Sequence, residues 1–221
     1  MSYFPNHREF YVFAIHAIYA VLLASSFNIA NDFLVPLSKI TSGEDFIHVF
    51  GILFVYTVLI SGWIGYTKSV SVRPHIEGYL GNLRFIMDLF IVFVTFYIVN
   101  LTSSLEIFKN NFYETFMYLL PILFSLYLVW DIIKLFEYRK IFTGQKQLDE
   151  TLINFNRLSI TAYFLAVVLI QDAIFIYIFM SKNESHVLAL YFLFIISSFI
   201  IILFYRKFKW NTPSLPKSPE I

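Results

Sequence analysis

Of the chain's 221 residues 58% are hydrophobic and only 14% charged, with a mean hydropathy of +0.70; water is thereby excluded as the solvent for most of its surface. Its 16 basic and 15 acidic residues leave no electrostatic footprint for nucleic acid, which is set aside as a partner. Cysteine is absent, which excludes disulfides, thiolate metal sites, thiol nucleophiles and S-palmitoyl anchors.

A membrane-crossing helix needs about 20 largely apolar residues to traverse about 30 Å of hydrocarbon. Six stretches meet that requirement, over residues 10–28, 46–66, 83–101, 112–136, 157–180 and 187–205. The expected fold class is all-α: a polytopic membrane protein, a bundle of six transmembrane helices bounded by the lipid bilayer. The first span resembles a cleavable signal peptide in its short basic start and in Ala24-Ser25-Ser26, but cleavage would leave five spans and an outward N-terminus, so it is read as retained. Pro36 and Gly43 punctuate the first loop, Arg73, Pro74 and Gly78 the second, and Gly144 the fourth. Arg206-Lys207-Phe208-Lys209-Trp210 reads as a basic-aromatic interfacial stop, and residues 207–221 continue through Pro213, Pro216 and Pro219, the composition of an unstructured tail. Echoes between the halves, such as Ile52-Leu-Phe54 against Ile122-Leu-Phe124, are no more than chance supplies in so apolar a chain.

Orientation follows from the loops. Lys39, Lys109 and Lys182 fall on one side of the predicted bundle and the other 13 of the 16 basic residues on the opposite side. Basic residues near span ends are retained in the cytoplasm, so both termini are expected there, in the cell (inner) membrane. That outcome requires an even number of spans.

Ionisable residues at membrane depth carry most of the functional information, because they are costly there and face the bundle interior or a wet cavity. At about 100° per residue, Arg84, Asp88 and Thr95 share one face of the third span. Tyr127, Asp131, Lys134 and Tyr138 share a face of the fourth, and Arg157, Thr161 and the Gln171-Asp172 pair share one of the fifth. Three consecutive helices with one polar line each pack most simply with those lines facing one another, as a polar seam or pathway. The competing reading pairs Arg84 with Asp88 and Asp131 with Lys134 inside their own helices, near the boundary where long basic side chains snorkel. Asp172 stands apart. It lies about 22 Å along the helix from Arg157, at 1.5 Å per residue, with no basic residue expected at that depth. Such an acid takes up a proton or binds a passing cation, unless it only glues helices.

His16 follows one and a half turns into the first span beside Ala17, Ala20 and Ala24. It reads as a hydrogen-bonded structural histidine on a packing face, with titration near neutral pH as the functional alternative. His48, Trp63, Gly62 and Gly65 read as boundary or packing residues. No histidine pair has haem or metal geometry, and no cofactor is expected. No phosphate loop, HExxH or GxSxG is present, so an enzyme has no support; a TVGYG filter and a helix with Arg at every third position are also absent. Asn100-Leu101-Thr102 and Asn183-Glu184-Ser185 fit a glycosylation pattern too short to decide anything.

Six helices in 221 residues, Arg8 just before the first span, and a second span ending in Trp63 and Tyr66 resemble the bacterial relatives of the lysosomal potassium channel. That family's first helix carries Arg, three residues, then Phe-Ser-Asp, where this chain has Val12-Phe13-Ala14. The resemblance is one of topology and brings no functional residue with it.

The leading expectation is a permeation protein, a small ion channel or pore lined by the intramembrane polar residues. The alternatives are an ion- or proton-coupled secondary transporter of a small solute and a non-transporting membrane effector whose basic inner loops dock a cytoplasmic protein. Six short helices leave little room for an aqueous path in one subunit, which favours a homo-oligomer.

Overall fold

A segment apolar over 20 or more residues must satisfy its backbone polar groups internally, and here each one does so as an α-helix. The computed structural model describes residues 7–34, 40–73, 75, 78–103, 108, 113–139, 145–181 and 187–212. Within them run α1 (His7–Leu34), α2 (Gly43–Val72), α3 (Tyr79–Asn100), α4 (Tyr113–Arg139), α5 (Gln145–Ser181) and α6 (Val187–Asn211). All six are long and apolar enough to cross a membrane, the makeup of an integral membrane protein. Pro36, Lys39, Pro74, Lys109, Lys140, Gly144, Lys182, Asn183 and the tail prolines lie outside the described residues.

Local chemistry sets the helix ends. Ser42 caps α2 by accepting from the Asp45 amide at 3.1 Å, while Asp45 accepts from the Ser42 amide at 2.9 Å. This reciprocal pair satisfies donors that the first helical turn leaves orphaned. Gly78, ahead of α3, has φ +125°, a conformation open to glycine and strained for every other residue. Four helices clearly outrun their expected spans at one end, α1 and α2 running on to Leu34 and Val72. α5 begins at Gln145, 12 residues before 157, and α6 continues to Asn211, so the basic stretch Arg206–Trp210 is helical.

The helices alternate in direction. Tyr11 donates to Asn82 at 2.8 Å and Lys68 to the Trp210 carbonyl at 3.2 Å. The starts of α1 and α3 and the ends of α2, α4 and α6 thus share one end of the bundle, called here the basic end. α4 packs on α3 and α5, α2 on α6, α5 on α6, and α1 on α2 and α3. Away from the basic end the interior is an aromatic layer. Phe54 meets Phe116 edge-on at 5.0 Å, Phe116 meets Phe194 at 6.0 Å, and Phe194 meets Phe175 at 5.0 Å. Phe54, Phe116 and Phe194 are at most 1% exposed, so apolar rings pack the centre of this layer.

Candidate functional site

Polar side chains crowd the basic end, and their partners lie on other elements. Arg84 is fully buried and donates through Nη1 to Glu137 of α4 at 2.5 Å and through Nη2 to the Arg73 carbonyl at 2.7 Å. Asp88, one turn on, lies 3.3 Å from His75 in the α2–α3 connection. The pairing of Arg84 with Asp88 expected from their i,i+4 spacing is therefore replaced by two cross-element pairs. Arg73 donates to Asn154 of α5 at 2.6 Å, so the α2–α3 connection is tied to α3 and α5.

Asp131 and Lys134 also part company. Asp131 accepts from Thr161 at 2.6 Å and from Lys209 at the end of α6. Lys134, 1% exposed, donates to Ser69 on α2 and lies 4.6 Å from the centre of the Trp130 ring. Burying a charge is costly unless it is paired, and α6 supplies the partner that Asp131's own helix does not.

Between these networks lies a cavity, open at one end, with a volume of about 70 Å³. It runs from Gly62, Ile91 and Val92 in the interior to exposed Lys68 at the basic end. Asp88 of α3, Tyr127 of α4 and Arg157 of α5 line it, so the three polar faces do contribute to one space. α6 adds Arg206 and Lys209, which read in sequence only as a basic interfacial stop. The Arg206 guanidinium donates to Tyr127 at 2.8 Å and sits 5.0 Å and 5.3 Å from the Tyr127 and Tyr205 ring centres. Gly65 makes room for it, since a Cβ there would lie 2.6 Å from Arg206 Nη1. Gly65 is thus a close-approach glycine for a buried cation.

His16 is outside the cavity lining. It accepts from Trp63 Nε1 at 2.7 Å, joining α1 to α2 and giving Trp63 an internal partner. His48 meets the Thr102 carbonyl at 3.0 Å.

Gln171 and Asp172 belong to the aromatic layer instead. Gln171 Nε2 donates to Ser197 and Ser198 of α6, each at 2.8 Å. Asp172 is 6% exposed, and both its carboxylate oxygens lack a hydrogen-bond partner among the described residues. Between Thr161 and Gln171, α5 turns Phe164 and Val168 inward at 5% and 0% exposure, so the two polar regions are separated by packed apolar side chains. Among the described residues no cluster of three or more His, Asp or Glu could hold a metal ion.

No family model, curated protein or solved structure matches the chain. The class that fold and site define is that of an all-helical protein with six membrane-length helices and a buried, cation-lined cavity at one end.

Proposed function

We propose that the chain is a membrane permeation protein of the carrier kind, which loads a small solute into the cavity from the basic side while the aromatic layer closes the opposite half. One observation carries the reading: the charged-walled cavity ends on the buried Ile15, Ile91 and Val92, and the layer beyond them holds the buried Phe54, Phe116 and Phe194. An open pore needs a continuous wet path, and the burial of Phe164 and Val168 favours a carrier over a pore within one subunit. A carrier needs a polar site near a closed layer that can exchange sides. The positive-inside rule puts the basic end, and with it both termini, in the cytoplasm.

Reconstituted into liposomes, such a protein takes up at least one labelled solute from a panel of anions, cations and neutral sugars, with saturation and with acceleration by the same solute preloaded inside. It gives no unitary current steps in planar bilayers. Unitary steps would return the assignment to a channel, built within the subunit or by an oligomer. Silence across the panel in both assays would leave the non-transporting class.

A further inference from the structure

Four cationic side chains line the cavity, Lys68, Arg157, Arg206 and Lys209, against one carboxylate, Asp88. Three of the charged groups have company inside the protein: Asp88 lies 3.3 Å from His75, Lys209 is paired with Asp131, and Arg157 has an interaction of its own. Arg206 differs. It is 8% exposed, and among the described residues its one hydrogen bond goes to the neutral Tyr127 hydroxyl and its Nε has no partner. Among the described residues Lys68 donates to a backbone carbonyl, that of Trp210.

A buried guanidinium held against tyrosine rings, with no carboxylate bonded to it among the described residues, is expensive. Its retention calls for an anion that arrives from outside the chain. Guanidinium is the side chain best matched to the planar fork of a carboxylate or the oxygens of a phosphate. Tyr127 completes the arrangement. By accepting from Arg206 it keeps its own O–H free to donate to the same anion.

We propose that this cavity binds a small oxyanion group, phosphate or carboxylate, held by Arg206 and Tyr127 with Lys68 and Arg157 beside them. The assignment deepens the carrier reading, on which it rests for its biological role, by giving the chemical class of the solute. The same group reaches the site either on a soluble molecule or on an anionic lipid, since basic pockets between helices at the cytoplasmic side also take lipid headgroups.

The test uses the full chain in nanodiscs of neutral phosphatidylcholine. Binding of inorganic phosphate and of citrate is followed by tryptophan fluorescence, at ionic strength held constant with a chloride salt. Saturable binding is expected in the wild type. It should weaken by about tenfold or more in Arg206→Gln, measurably in Lys68→Gln, and not at all in Lys207→Gln, whose exposed side chain is outside the cavity lining. Gly65→Ala, which drives a methyl group against the guanidinium, should weaken it as well. In a second arm, discs containing phosphatidylglycerol report the lipid source: selective retention of that lipid by wild type and its loss in Arg206→Gln supports the site with a headgroup as occupant.

No saturable binding of phosphate, citrate or anionic lipid overturns the proposal, as does equal binding in wild type and folded Arg206→Gln. Should Arg206→Gln not fold, undiminished binding in both Lys68→Gln and Gly65→Ala overturns it. Oxyanion binding without flux in liposomes refutes the carrier reading and leaves the site standing. Saturable flux of a cation or sugar without oxyanion binding does the reverse.

Discussion

Arg84 of α3 and Glu137 of α4 meet at 2.5 Å with 0% and 2% of their side chains exposed, so neither charge has water to fall back on. Removing one partner of a buried pair leaves an orphan charge and typically costs about 3–5 kcal/mol, whereas replacing both by apolar groups of similar volume is often neutral. Arg84→Met and Glu137→Met should each lower the melting temperature of the purified protein strongly, and the double replacement should recover most of the loss. Asp88→Asn should show no such rescue with Arg84→Met, because Asp88 faces His75. Additive effects of Arg84→Met and Glu137→Met would contradict the pairing.

Two glycines give sharper stability expectations. Gly78 sits at φ +125°, where a side chain costs about 1–3 kcal/mol; Gly78→Ala should destabilise by that order although nothing lies within 4 Å of the added Cβ. At Gly51 the cause is space. A Cβ there would come within 2.3 Å of the Phe108 ring, an overpacking that typically costs about 1–3 kcal/mol. Thermal melts read both, and an unshifted melt for Gly78→Ala would refute the backbone argument.

Orientation is open to direct chemistry because the chain has no native cysteine. Thr41, before α2, and Ser71, in its last turn, are both exposed and lie at opposite ends of that helix. An impermeant maleimide applied to intact cells should label Thr41→Cys and spare Ser71→Cys until the membrane is permeabilised. Efficient labelling of Ser71→Cys from outside would reverse the orientation and, with it, the side from which the cavity loads.

The six spans were legible because hydropathy alone marks them, and helix is the only way for so apolar a segment to pair its backbone. The extra turns of α5 were not. Gln145–Asn156 is polar, and the apolar run that flags a span carries no information on how far its helix continues past it. Side-chain partners were the least legible part. Sequence spacing exposes neighbours within a helix, as for Arg84 with Asp88, but Glu137 is 53 residues from Arg84 and Lys209 is 78 from Asp131. Arg206 and Lys209 looked like an interfacial stop because they follow the last apolar run. Their signal was indirect: Gly62 and Gly65, three apart on α2, leave a gap wide enough for an arginine.

Asp172 sets stability against function. Its carboxylate lies in the aromatic layer, one turn before Phe175, with both oxygens unpartnered among the described residues. A buried polar group without a hydrogen bond costs about 1–3 kcal/mol, and a chain selected for stability alone would place an apolar side chain there. Asp172→Leu should therefore raise the melting temperature by a few degrees, at the roughly 2–4 °C per kcal/mol of a chain this long. If Asp172 takes up and releases a proton or cation as the layer opens, the same variant should transport poorly, and Asp172→Asn, which fixes a neutral side chain of the same shape, should fold normally and lose the pH dependence of flux. A pure glue role predicts the opposite pattern: Asn silent, Leu destabilising. Melting curves separate the structural cases, and flux measured against pH in proteoliposomes separates the functional ones. Superimposable pH profiles for wild type and Asp172→Asn would remove Asp172 from the coupling mechanism.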